Sequence, residues 1–184
     1  MKHIVAVLAA LPLLASAAEF NAVQHDKSRV GFVSKQMGVP VEGGFKKFTA
    51  QIAFDPAKPE GGRAQIEIDL ASIDAGSSDA DDEVKGKNWF DVRQFPTAKF
   101  VSSGVKALGG GRFEARGQMT IKGKTREVVA PFAYRMDGAN AVLEGAVPIM
   151  RLQYGVGAGI WSDTATVADE VQVQFRLTVA AGRK

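Results

Sequence analysis

Large apolar residues fall on alternate positions along most of this chain. In Gln65-Ile66-Glu67-Ile68-Asp69-Leu70 the three aliphatic residues share one face and the three polar ones the other. Phe48-Thr49-Ala50-Gln51-Ile52-Ala53-Phe54 repeats the pattern, and Asp55-Pro56 closes it as a turn. Period two marks a strand with one dry and one wet face. Similar stretches run from Arg29 to Val33, Ala98 to Val105, Phe113 to Ile121, Glu127 to Met136, Ala141 to Ile149 and Val171 to Val179. Gly109-Gly110-Gly111 and Asp137-Gly138-Ala139-Asn140 read as hairpin connections between them. About eight strands at this spacing predict an all-β, antiparallel barrel or sandwich. With no fixed repeat and no linker, one domain follows.

One segment departs from the pattern. Ser77-Ser78-Asp79-Ala80-Asp81-Asp82-Glu83-Val84-Lys85 places capping residues and acids first and lysine later, as a helix dipole favours. The expected helix runs from about Ala80 to Lys87, into Trp89-Phe90. The same acids do not form a calcium loop. Counted from Asp79, the sixth and twelfth places hold Val84 and Phe90 where glycine and glutamate are required.

The first residues bear on compartment. Lys2-His3, the apolar run Ile4 to Leu14 and Ala15-Ser16-Ala17 form a charged start, a short hydrophobic centre and a small-residue cleavage site. A signal peptide over residues 1–17 is therefore expected, cleaved after Ala17 or Ala18, with the domain over 18–184 and a periplasmic location. The run is shorter than the roughly 20 residues that span a bilayer. The chain has no cysteine, so its core alone must hold it. His25 is the one histidine beyond the signal segment, which leaves little for metal binding or acid–base catalysis. It stands near Ser28 and Ser34, but no nucleophile elbow accompanies them. A net charge of +3, spread along the chain, gives no nucleic-acid footprint. Gly155-Val156-Gly157-Ala158-Gly159 lacks the strand–turn–helix setting of a dinucleotide site and reads as flexible backbone at a barrel mouth.

Eleven phenylalanines stand against two tyrosines and two tryptophans, so the aromatic residues carry few polar handles. Small residues alternate with them: Ala50 beside Phe48 and Ile52, Ala115 and Gly117 beside Phe113 and Met119, Ala130 beside Phe132. An eight-stranded barrel is at the size where side chains fill the interior or leave room for one ligand. Pattern alone leaves both outcomes open.

Four groups of residues carry a resemblance. They are Ser28-Arg29-Val30-Gly31-Phe32 with Val41-Glu42-Gly43-Gly44-Phe45-Lys46-Lys47-Phe48; Ile52 to Pro56 with Ser72-Ile73-Asp74-Ala75-Gly76; Asp81 to Lys85 through Trp89-Phe90-Asp91 to Phe95-Pro96-Thr97-Ala98-Lys99-Phe100; and Gly117 to Thr125, with Tyr154-Gly155-Val156-Gly157 and Trp161. In this order the sequence resembles the YceI-like family of exported lipid-binding proteins. The resemblance implies an eight-stranded antiparallel lipocalin-like barrel with one short helix near an end. It also implies a long polyisoprenoid or quinone-like lipid threaded inside, with no other cofactor and no catalysis. A membrane cytochrome of the b561 type is an implied partner; a homodimer is one option for the oligomeric state. Many relatives have a histidine a few residues past the place of Phe32. This chain reads Ser34-Lys35-Gln36-Met37 there, which opens the choice of head group.

Strand parity assigns the lipid-facing set: Val30, Phe32, Phe48, Ile52, Phe54, Ile66, Ile68, Phe100, Phe113, Met119, Ile121, Phe132 and Tyr134. Trp89, Phe90 and Trp161 are expected at the helix and loops framing one end. Three other readings compete. An outer-membrane barrel would want aromatic girdles and an aromatic last residue, where this sequence reads Ala181-Gly182-Arg183-Lys184. A structural or stress-related interaction domain would have a filled core. An isoprenoid-converting enzyme would need a catalytic constellation that the sequence does not display.

Overall fold

The computed structural model describes residues 19–182; the expected signal peptide lies outside them. The alternating segments form strands, in chain order β1 (Phe20–Val23), β2 (Arg29–Gln36), β3 (Val39–Phe45), β4 (Phe48–Ala53), β5 (Arg63–Asp69) and β6 (Ile73–Asp74). After the helix α1 (Ser78–Lys85) come β7 (Thr97–Gly109), β8 (Arg112–Ile121), β9 (Lys124–Asp137), β10 (Asn140–Met150) and β11 (Glu170–Ala181). Neighbours pair antiparallel in the order β4-β5-β7-β8-β9-β10-β11-β2-β3-β6.

Eleven strands stand where about eight were expected, and one corner accounts for most of the difference. Between β3 and β4 lie only Lys46 and Lys47, so the two are halves of one bent strand. β3 pairs with β2 on one side, while β4 pairs with β5 on the other. Across the corner Lys46 N donates to Ser72 O and Asp69 N to Lys47 O, so the ladder stays joined as it changes partner. The chain thereby closes the sheet into a barrel of eight staves, with β6 a two-residue extension alongside β3. β1 fills the gap beneath β2: it pairs with β11, and Phe20 exchanges two backbone hydrogen bonds with Phe54 at 2.9 and 3.1 Å.

The glycine turns fall where the hairpins need left-handed backbone. Gly109, Gly110 and Gly111 join β7 to β8 with φ of 86°, 61° and 73°. The helix begins two residues before the expected start, because the Ser77 hydroxyl accepts from Ala80 N and caps it. It ends at Lys85, where Gly86 N donates to Glu83 O.

Candidate functional site

Inside the barrel lies a cavity of about 380 Å³. Its wall is apolar and comes from every stave. Val30 and Phe32 (β2), Val41 and Phe45 (β3), Ile52 (β4), Ile66 and Ile68 (β5) and Phe100 (β7) form one side. Met119 and Ile121 (β8), Ala130 and Phe132 (β9), Val147 and Ile149 (β10) and Val173 and Phe175 (β11) form the other. The interior is therefore not filled, and its dry face points inward, the reverse of a water-filled outer-membrane channel.

Glycines set the width of the open half. Phe32 faces Gly43 across the β2–β3 ladder, and Phe175 faces Gly145 across β10–β11. On β8, Gly117 lies beneath the Phe100 ring. A methyl group built on each glycine would clash with the ring over it, Phe32 at Gly43, Phe175 at Gly145 (2.8 Å) and Phe100 at Gly117 (2.6 Å), and would also crowd a backbone carbonyl, of Asp74, Pro131 and Val101 respectively. Each ring thus lies down on a bare patch of backbone and leaves the centre free.

At the end away from α1 the same residue type does the opposite. Phe54, only 3% exposed, meets Phe113 edge-on at 5.1 Å and Phe132 at 5.6 Å between ring centroids. Phe113 stacks on Phe132 at 5.5 Å, while Phe20 and Tyr134 pack beside Phe54. Such aromatic pairs add about 0.5–1.5 kcal/mol beyond the area they bury.

At the α1 end one cation organises the mouth. Arg151, 2% exposed, directly follows the last residue of β10 and spends all five of its N–H donors on backbone carbonyls. Nε reaches Ala168; one terminal nitrogen reaches Val156 and Gly157, and the other Trp161 and Val167, at 2.7–3.0 Å. Its guanidinium also lies 5.5 Å from the Trp89 ring centroid. Burial pushes its pKa down, opposed by the charge of Asp169. Residues 155–159 are therefore wrapped around a fixed cation, a correction to the expectation of flexible backbone there. Trp161 Nε1 donates to Glu83 Oε1 at 2.7 Å and ties this segment to α1. Lys122 Nζ donates to Lys87 O and Gly155 O, bringing the β8–β9 turn to the same end.

Most residues that parity assigned inward do line the cavity: Val30, Phe32, Ile52, Phe54, Ile66, Ile68, Phe100, Met119, Ile121 and Phe132, together with Trp89, Phe90 and Trp161 at the mouth. Phe48, Phe113 and Tyr134 do not. Phe113 and Tyr134 pack among the rings of the closed end, whereas Phe48, half-buried and opposite Ile68 at the other end of β4, packs beside His25. Val171, Val173, Phe175 and Leu177 line the cavity as well, on a strand whose alternation signals an inward face although the parity set above omits them. Val105 was hidden by a bulge between Ser102 and Gly104 that reverses the parity of β7. Arg151 gave no sequence signal, since an arginine following a strand reads as surface charge. Ser34 and Gln36, in the stretch past Phe32 where the resemblance implies a histidine, line the cavity. His25 lies outside it, with its ring 5.4 Å from Phe48.

The YceI-like domain matches residues 22–179. This chain belongs to the YceI-like family. A protein named UPF0312 from Azotobacter vinelandii is 28% identical over 120 residues, 62% of each chain. Another from Pseudomonas savastanoi pv. phaseolicola is 32% identical over 98 residues, 53% of this chain and 51% of its own length. The match thus spans about half to three fifths of these relatives. Among solved structures, Burkholderia cenocepacia BcnA superposes with a TM-score of 0.83 at 49% identity, over 85% of this chain and 98% of its own. A polyisoprenoid binding domain from Saccharophagus degradans gives 0.69 at 17% identity, over 89% and 99%. At that identity the likeness is one of fold.

Proposed function

We propose that this protein binds a single long-chain isoprenoid or quinone-like lipid inside its barrel and stores or carries it in the periplasm without chemical conversion. The observation that carries this reading is the apolar cavity of about 380 Å³. Filled with water or left empty, an apolar space of that size carries a cost in stability. A hydrocarbon chain removes the cost, and each methylene it buries adds about 0.8 kcal/mol. The likeness to a polyisoprenoid binding domain supports the same ligand class. With Ser34 and Gln36 at the wall, a head group meets a hydroxyl and an amide in place of an imidazole. For a quinone-like lipid, a b561-type membrane cytochrome is the partner the reading implies.

The test is extraction of natively purified protein with organic solvent, followed by mass spectrometry. One long-chain lipid per protein is expected. A protein that comes out empty and also ignores added prenyl lipids overturns the reading. Ile68→Glu, on the cavity wall, should at least halve the lipid retained, whereas Lys106→Glu on the exposed side of β7 should leave it unchanged.

A further inference from the structure

The cavity stops between two adjacent layers of the same two strands. On β8 and β9, Phe113 pairs with Phe132, and two residues nearer α1 Ala115 pairs with Ala130. Phe132 and Phe54, with Leu143 and Leu177 on β10 and β11, form the last surface the cavity touches; Phe113, Phe20 and Tyr134 stand behind the two rings. Ala115 and Ala130 are the first layer in which this part of the wall sends no ring towards the axis, and both line the open space. The rings behind the floor are in mutual contact, with centroids 5.1–6.3 Å apart, so the floor has little room to retreat.

We infer that Phe54 and Phe132 act as a ruler, setting the longest apolar chain the barrel accepts. The inference rests on the carrier reading and adds to it a determinant of chain length. The pleat of the strands graduates the ruler. Same-face residues are two apart, about 6.8 Å along a strand, or about 5 Å along the axis of a barrel whose strands tilt 35–45°. An extended hydrocarbon advances about 1.25 Å per carbon–carbon bond, from standard bond lengths and angles. One layer therefore corresponds to about four bonds, the backbone of one isoprene unit. Ala130→Phe adds a ring where there is open space and raises the floor by one layer. Phe132→Leu lowers it in part. The double change Ala130→Phe with Phe132→Ala moves one ring up a layer at nearly constant volume.

The experiment equilibrates the purified mature protein and each variant with an equimolar mixture of polyprenols of increasing length. The protein is re-isolated, and native mass spectrometry reads the chains retained. The wild type should show an upper cut-off. Ala130→Phe and the double variant should lower it by about one isoprene unit, and Phe132→Leu should raise it. Should Phe132→Leu fail to fold, Ala130→Phe alone decides. Folded, loaded variants with the wild-type length profile overturn the ruler and leave the carrier reading standing. A wild type that retains no polyprenol of any length overturns the carrier reading, and the ruler with it.

Discussion

The closed end and the open half of this barrel are both built from phenylalanine, and they differ in what each ring faces. At the closed end Phe113 is paired with Phe132, and Phe54 fills the angle between them, so ring meets ring and nothing is left over. In the open half Phe32 and Phe175 are paired with Gly43 and Gly145, and each ring settles onto bare backbone. Space inside the barrel is thus decided by the partner residue, not by the size of the lining residue. A count of phenylalanines cannot distinguish a plug from a lumen, whereas a count of cross-strand pairs can.

The difference can be broken from either side. The largest effect is expected at the closed end. Phe113→Ala should destabilise the fold by about 3–5 kcal/mol, the usual cost of truncating a buried phenylalanine, read from urea unfolding. A loss below about 1 kcal/mol would mean the end is loosely packed and the contrast is false. In the open half, Gly145→Ala should cost at least the roughly 1–3 kcal/mol of ordinary overpacking, because a methyl there meets the Pro131 backbone carbonyl as well as the Phe175 ring, and it should reduce the lipid retained as that ring is driven inward. Lost stability with unchanged lipid content would show that the ring escapes elsewhere. The smallest effect belongs to the corner between β3 and β4, where Lys46 Nζ lies 3.0 Å from Asp74. Its hydrogen bond to Asp74, followed by that from Gly76 N, holds the Asp74 carboxyl below its usual value of 3.8. A depressed folded-state pKa contributes stability that is present above the unfolded value and lost as pH falls through the folded one. Lys46→Ala should therefore lower the melting temperature slightly at neutral pH, and the gap from wild type should close in acid below the ordinary carboxylate range. A gap that widens in acid would reverse the assignment.

Much of this was legible in the alternation of residues, and what was missed has physical causes. Ile66 and Ile68 alternate cleanly with charged residues and do line the cavity. Phe113 and Tyr134 share that parity but lie in the plug, because parity gives the direction of a side chain and not its depth along the barrel. The corner at Lys46-Lys47 was invisible, since a strand that changes partner keeps its period; so was the short edge strand β1. The helix was legible from its acids and lysine, with its start displaced by the serine that caps it. Arg151 stayed hidden for a different reason: its role depends on carbonyls brought to it by the fold, and carbonyls have no sequence signature.

That arginine has a consequence for a chain without a cysteine. Its hydrogen bonds span 5, 6, 10, 16 and 17 residues of sequence, so one side chain closes five nested loops at once. A disulfide also joins distant points, but acts mainly by restricting the unfolded chain; the bonds of Arg151 exist only in the folded state and hold the loops there. Here the junction is a bundle of charge-assisted hydrogen bonds. No reductant can cut it, and no thiol exchange can join it to the wrong partner.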